Sequence, residues 1–256
     1  MMRVYMAKGL IRAVNLLKSL VVVLLPPQEL IEFSRKTYGR EKEIESWGTK
    51  ELINSGLSET EKAIVKNLPV SSGKMLILGL GGGREAIPLA KMGFQVTGVD
   101  FVAGMIEKAR ENARKEEIEI DGLTQEISKL NIEEGFYDIV WLSTFMYSSI
   151  PSRKRRLRLL EGVRKGLKAG GVFVCQFWYE KINTHKGAET FKKALAYLFL
   201  GNIYYEKGDR LWYDREFQHC FSDEAGLRKE FTEAGFQIEK LIVRPEIRQG
   251  FAILRV

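Results

Sequence analysis

Met75-Leu-Ile-Leu-Gly-Leu-Gly-Gly-Gly-Arg84, with Gly93-Phe-Gln-Val-Thr-Gly-Val-Asp100 close behind it, decides the fold. The apolar run Met75 to Leu78 reads as a buried strand that breaks into glycines at 79, 81, 82 and 83. Helix-compatible residues follow from Glu85 to Met92, Gly93 closes them, and a second strand from Gln95 to Val99 ends in Asp100. Glycines let the backbone come close to a ligand, and a helix start offers unpaired N–H groups and positive potential. A carboxylate about 20 residues on is placed to accept hydrogen bonds from a ribose diol. The unit reads as a nucleoside-binding half of a doubly wound sheet.

The glycine register narrows the nucleoside. Gly79-x-Gly81-x-x-Gly fails because position 84 is Arg, while Gly81-x-Gly83-x-x-Ala86 fits a dinucleotide pattern. Gly79-x-Gly81-x-Gly83 begins where the apolar strand ends, and the downstream blocks separate the two. Asp100-Phe-Val-Ala-Gly-Met105-Ile-Glu-Lys-Ala109-Arg110, Phe136-Tyr-Asp138-Ile-Val-Trp-Leu142, Leu167-Lys-Ala-Gly170-Gly171 and Ala234-Gly235-Phe236 follow in that order. Together they resemble the class I S-adenosylmethionine-dependent methyltransferase family over residues 60–256. One position departs: many members carry Asp or Glu near the end of the first strand, where this chain has Ile77.

The resemblance implies a three-layer α/β fold, a doubly wound and mostly parallel sheet whose last two strands (237–243 and 250–256) pair antiparallel. It divides the chain into an N-terminal helical cap (1–57) and a Rossmann-like domain (58–256), with a helical, aromatic insertion at 179–218. S-adenosylmethionine would be the cofactor and S-adenosylhomocysteine the product. The implied cofactor contacts are Gly79, Leu80, Gly81, Gly83, Asp100, Phe101, Met105 and Ser143. Glu126 would accept from the adenine amine, with the Ile127 backbone at the ring; a solvated loop glutamate is the alternative for Glu126. Tyr147, in the loop after the fourth strand, fits either a wall beside the transferable methyl or packing under the next helix. His219, in a His-x-Phe-Ser run, fits either a general base or a local structural hydrogen bond.

Composition sets outer bounds. At 256 residues and 45% apolar, the chain can bury a sizeable core. Two cysteines and two histidines give no disulfide framework and no zinc spacing, so no metal is expected, and a reducing cytoplasm is the simplest setting. The net charge of +7 calls for an anionic partner to be sought.

Two stretches carry that question. In residues 1–25, Leu10, Ile11, Val14, Leu17, Val21, Leu24 and Leu25 fall at helical spacing among Arg3, Lys8, Arg12 and Lys18. The uncharged part is far shorter than the ~20 residues of a transmembrane helix. This helix either packs on the domain or lies peripherally on an anionic membrane. Between Arg153 and Lys168 stand eight basic residues against one acid, Glu161, an excess equal to the charge of the whole chain. A solvated helix face is favoured over an RNA phosphate track, because no aromatic residue is interleaved to stack bases.

Residues 28–68 read as helices at 28–36, 41–54 and 58–68, the last opened by the capping box Ser58-Glu-Thr-Glu61. Tyr38 and Trp47, by family analogy, either touch the cofactor or pack. The 179–218 stretch carries Tyr179, Phe191, Tyr197, Trp212 and Tyr213 among its rings, as an aromatic lid or as the core of a helix pair. The expected function is methyl transfer to a small-molecule or lipid-like acceptor. The alternatives are an RNA methyltransferase using 153–168 and an inactive nucleoside-binding protein.

Overall fold

A computed structural model describes residues 2–182 and 186–256; positions 183–185 of the expected insertion lie outside the described residues. Five helices precede the sheet: α1 (Met2–Leu24), α2 (Pro27–Tyr38), α3 (Glu41–Trp47), α4 (Lys50–Ser55) and α5 (Glu59–Lys66). The expected single helix over 41–54 is broken at Gly48-Thr49, where the Thr49 hydroxyl caps α4 by accepting from the Leu52 N–H. Ser58 and Glu61 close the capping box at α5, each side chain accepting the other's backbone N–H.

The sheet then alternates with helices: β1 (Gly73–Leu78), α6 (Ala86–Lys91), β2 (Phe94–Asp100), α7 (Ala103–Lys115), β3 (Asp121–Thr124), β4 (Tyr137–Leu142), α8 (Arg153–Gly166) and β5 (Leu167–Trp178). Next come α9 (Lys186–Leu198), a hairpin of β6 (Asp209–Trp212) and β7 (Glu216–His219), α10 (Glu224–Glu233), β8 (Gln237–Arg244) and β9 (Gln249–Arg255). Seven strands form one sheet in the order β3-β2-β1-β4-β5-β9-β8; the first five are parallel and β9 is antiparallel to both neighbours. The three-layer α/β fold expected from the sequence is therefore present, with its antiparallel last pair. The chain leaves β1 towards β2 on one side and returns to β4 on the other, which opens a crevice beyond their C-terminal ends, where open α/β sheets bind ligands.

Strand alternation divides the core. Met75, Ile77, Ile139, Trp141 and Val174 pack on one face with Ile87, Leu89 and Ile106 of α6 and α7. Leu76, Leu78, Val140, Leu142 and Phe173 pack on the other with Leu159 and Val163 of α8 and Phe231 of α10. Burial on both faces is why these strands read as unbroken apolar runs. A third cluster joins Val22 and Val23 of α1, Leu30 of α2, Ala196 of α9 and Phe217 of β7, docking the hairpin on the helices that precede the sheet.

The basic stretch is largely spoken for. Arg153 pairs with Glu233, Arg155 with Glu126, Lys165 with Glu161, and Lys168, already in β5, with Asp138. Arg156 is buried; its Nε donates to Glu230 at 2.8 Å and its Nη1 to Glu206 at 2.9 Å. The stretch reads in sequence as a solvated helix face; five of its eight cations are instead held in ion pairs within the chain, one of them buried.

Candidate functional site

Gly79, Gly81 and Gly83 all take positive φ, so the backbone doubles back sharply at the end of β1. The Gly79 and Leu80 N–H groups both donate to the Val99 carbonyl at 2.8 and 3.0 Å. Asp100 then ties the two loops together: Oδ2 accepts from Gly81 N–H and Oδ1 from Val102 N–H, each at 3.0 Å. Burial raises its pKa, and these N–H bonds oppose the rise. Gly82 allows a second approach. A Cβ there would sit 2.2 Å from the Trp47 carbonyl oxygen, so the α3–α4 corner rests directly on the turn. Asn112 holds the pair by donating to the carbonyls of Gly48 and Gly82.

The turn opens into a cleft of about 1180 Å³. Gly79, Leu80, Gly81, Asp100, Phe101, Met105, Glu126, Ile127 and Ser143 all line it, as do Tyr38 and Trp47. Gly83 lies off the wall, facing Ile87 and Ala109, where it turns the chain. Glu126 is held by Arg155 at 2.8 Å and by the Ser128 hydroxyl. Burial alone would raise its carboxyl, but the Ser128 bond and the Arg155 charge bring it below the usual range.

Two candidate catalytic residues are corrected by their placement. Tyr147 is fully buried away from the cleft; its ring lies between Phe221 and Phe231, and its hydroxyl donates to Glu230. Packing under α8 and α10 has taken it, the alternative left open above. His219 is also buried, its Nδ1 2.7 Å from Asp209 and its ring edge-on to Phe221. In both cases the neighbour one residue earlier, Met146 or Gln218, is the one on the cleft wall. Along β7 the cause is strand alternation, which sends Glu216 and Gln218 to the cleft and Phe217 and His219 to the core.

Several lining groups have no local sequence signal. Arg84 donates to Glu61 at 2.8 and 2.9 Å, to Glu85 at 2.6 Å and to the Gly56 carbonyl at 2.7 Å. Burial alone would raise Glu61, but Arg84, the Ser58 N–H and the Thr144 hydroxyl draw its pKa down to about 2. Glu85 is raised by burial. Ile77 puts no carboxylate at the end of β1, yet these two stand on the same cleft wall. Farther along, Phe145 stacks on Trp178 at 3.7 Å and Trp178 tilts against Trp212 at 4.8 Å. Beside these rings Gln176 Nε2, Ser143 Oγ and Gln218 Oε1 are buried without a hydrogen-bond partner. Buried polar atoms are rarely left so, and three converging on one cleft mark where a ligand's polar groups would go. Glu216 completes this end, accepting from Tyr38 and Gln218, with its pKa raised by burial.

This geometry agrees with what the chain is similar to. Residues 75–171 match the family model for a methyltransferase domain. A crystal structure of an S-adenosylmethionine-dependent methyltransferase from Methanosarcina mazei superposes with a TM-score of 0.61 at 21% identity, over 78% of this chain and 98% of that one. Residues 75–171 thus carry a methyltransferase domain, and the chain has the fold of S-adenosylmethionine-dependent methyltransferases. S-adenosylmethionine is the cofactor that this domain implies, and the residues fit it: a bidentate carboxylate on a glycine turn, and unpaired buried polar atoms in a cleft above the size of one ordinary ligand site. Among curated relatives, a ubiquinone biosynthesis O-methyltransferase of Rickettsia typhi is 38% identical over 71 residues, 28% of either chain. An S-adenosyl-L-methionine-dependent Diels-Alderase of Talaromyces variabilis is 31% identical over 47% of this chain and 42% of its own. The chain thus aligns with less than half the length of these relatives. Among the described residues, Glu206, Asp209 and His219 have the spacing of a metal site, but Arg156 already holds Glu206.

Proposed function

We propose that this protein transfers a methyl group from S-adenosylmethionine to a small, flat, largely apolar acceptor that carries hydrogen-bonding groups. The observation carrying this reading is the aromatic wall of Phe145, Trp178 and Trp212 beside the unpaired Gln176 Nε2 and Gln218 Oε1, in one cleft with the Asp100 turn. When bound, the cofactor supplies an electrophilic methyl carried on a sulfonium. Asp100 would hold the ribose hydroxyls, Glu126 the adenine amine, and the Gly79–Gly81 backbone the chain between them. Glu85 and Glu61, on the same wall, are suited to the cofactor's amino end that Ile77 leaves without a carboxylate.

Stacking surfaces with one free amide donor and one free amide acceptor suit a ring with polar substituents: the rings exclude water, and the amides orient the nucleophile. Glu216 is the cleft carboxylate fitted to take the acceptor's proton: it stands on the cleft wall beside Gln218, and burial raises its pKa, which makes it a stronger base than a solvated carboxylate. The ubiquinone biosynthesis relative is in keeping with an acceptor of this kind. By the same reading, residues 1–57 act as the cap over the cleft and 58–256 as the catalytic domain.

Calorimetric titration with S-adenosylmethionine and S-adenosylhomocysteine tests the first half. Micromolar binding of both is expected, weakened about 100-fold in Asp100→Ala, as loss of a charged ribose clamp would require. Tighter binding of a nicotinamide dinucleotide, or no binding at all, would refute it. An acceptor screen then tests the second half: turnover of ring hydroxyls is expected to fall in Glu216→Gln, with cofactor affinity unchanged.

A further inference from the structure

From Met2 to Leu17 every described side chain of α1 is exposed, a rod about 24 Å long at 1.5 Å per residue. Much of it is apolar: Tyr5, Met6, Leu10, Ile11 and Leu17 each expose 60% or more of their surface. The chain buries only the C-terminal end of this helix, at Val22 and Val23. There the turn after α9 is pressed on it. Asn202 N–H donates to the Val23 carbonyl at 2.7 Å, and a Cβ on Gly201 would meet that same oxygen at 2.4 Å. Around this junction stands a second set of bare apolar residues, Tyr197, Leu198, Phe199 and Leu200, each more than 60% exposed. Two such sets meeting at one junction far exceed the scattered apolar residues of an ordinary surface.

We infer that α1 and the C-terminal end of α9 form one docking surface for an anionic lipid bilayer. Charge names the occupant. Residues 1–28 contain Arg3, Lys8, Arg12 and Lys18 and no acidic residue. Anionic headgroups complement such a segment while acyl chains receive its apolar side chains. A second copy of the chain would instead set like charges against each other along α1. Tyr5, Tyr197 and Tyr204 add rings with a polar tip, which settle at the headgroup level. Among the described residues no helix is long and apolar enough to cross a membrane, so α1 lies on the surface.

The cleft is tied to this surface. Lys18 forms a 2.8 Å ion pair with Asp214 at the tip of the β6–β7 hairpin, and the same hairpin carries Trp212, Tyr213 and Glu216 into the cleft wall. Docking is independent of what the cleft binds, so it stands or falls separately from the reading of the active site.

The test is co-sedimentation of the full chain with vesicles of phosphatidylcholine alone and with vesicles containing a third phosphatidylglycerol, alongside light scattering without lipid. Two paired variants at exposed positions, Leu10→Glu/Ile11→Glu and Leu198→Glu/Leu200→Glu, are compared at unchanged melting temperature. Partitioning to the anionic vesicles should exceed that to phosphatidylcholine by about tenfold, and each pair should lower it by about tenfold or more. Failure to sediment with anionic vesicles would overturn the inference, as would partitioning that neither pair alters. A dimer in solution that both pairs dissolve, with no vesicle binding, would overturn it in favour of a second copy of the chain.

Discussion

Glu61→Gln isolates the bond that joins the helices before the sheet to the glycine turn. Glu61 is fully buried, and its pKa falls from the ordinary 4.5 to about 2 because Arg84, Ser58 and Thr144 outweigh the cost of burial. At about 1.4 kcal/mol per pKa unit, the ionised carboxylate contributes about 3 kcal/mol of stability at neutral pH. The sign follows from the depressed folded-state value: the contribution is complete above about pH 4.5 and is lost as pH falls through about 2. In Glu61→Gln the amide can still accept the Ser58 N–H, and Arg84 keeps Glu85, so a loss of about 2–3 kcal/mol is expected at pH 7. Urea unfolding followed by tryptophan fluorescence, at steps from pH 7 to 2.5, measures it. The gap between wild type and variant should narrow steadily below about pH 4.5. Glu59→Gln, at the exposed Glu59–Lys62 pair, should leave the midpoint in place. A gap that stays constant with pH, or one below about 0.5 kcal/mol at pH 7, would refute the assignment.

Two further substitutions probe the site's walls. Gly82→Ala sets a methyl against the Trp47 backbone, so the α3–α4 corner must lift; a loss of about 1–3 kcal/mol and faster tryptic cleavage near Lys50 are expected. Gly187→Ala, with open space around its Cβ, should show neither. Tyr147→Phe should cost about 1–2 kcal/mol through the hydrogen bond lost to the buried Glu230, which keeps Arg156, and leave cofactor affinity and the acceptor KM unchanged, since Tyr147 lies behind the cleft. A tenfold fall in kcat at unchanged stability would return it to the active site.

What the sequence reveals follows from how local the cause is. Met75–Leu78 and Ile139–Leu142 announce themselves because strands buried on both faces need unbroken apolar runs, and the glycines at 79–83 because only a sharp turn uses them so densely. Arg84 and Glu61 stand 23 residues apart, and the acids that neutralise Arg153 and Arg155 are 80 and 29 residues away; no window of sequence holds both partners. The β6–β7 hairpin escaped notice for a different reason. Its turn places Tyr213 and Asp214 at positive φ without glycine, so the usual Asn-Gly or Asp-Gly signature is missing and the stretch passes for helix or lid.

That hairpin also explains why Gln218 stands on the cleft wall and His219 does not. Whether a strand shows its odd or even residues to a cleft is decided by what its other face must bury. In β7 that face carries Phe217, which completes a core with Val22, Leu30 and Ala196, while the Phe217 N–H donates to the Ser34 hydroxyl of α2. Those partners come from α1, α2 and α9, so the side of the hairpin that faces the ligand is chosen by helices outside the sheet. The register of the acceptor wall therefore depends on the packing of α1, the helix whose outer end is proposed to meet the membrane. A variant such as Val22→Ala, far from the cleft, should accordingly disturb Trp212 and Gln218 before it disturbs the Asp100 turn, and so impair acceptor binding ahead of cofactor binding.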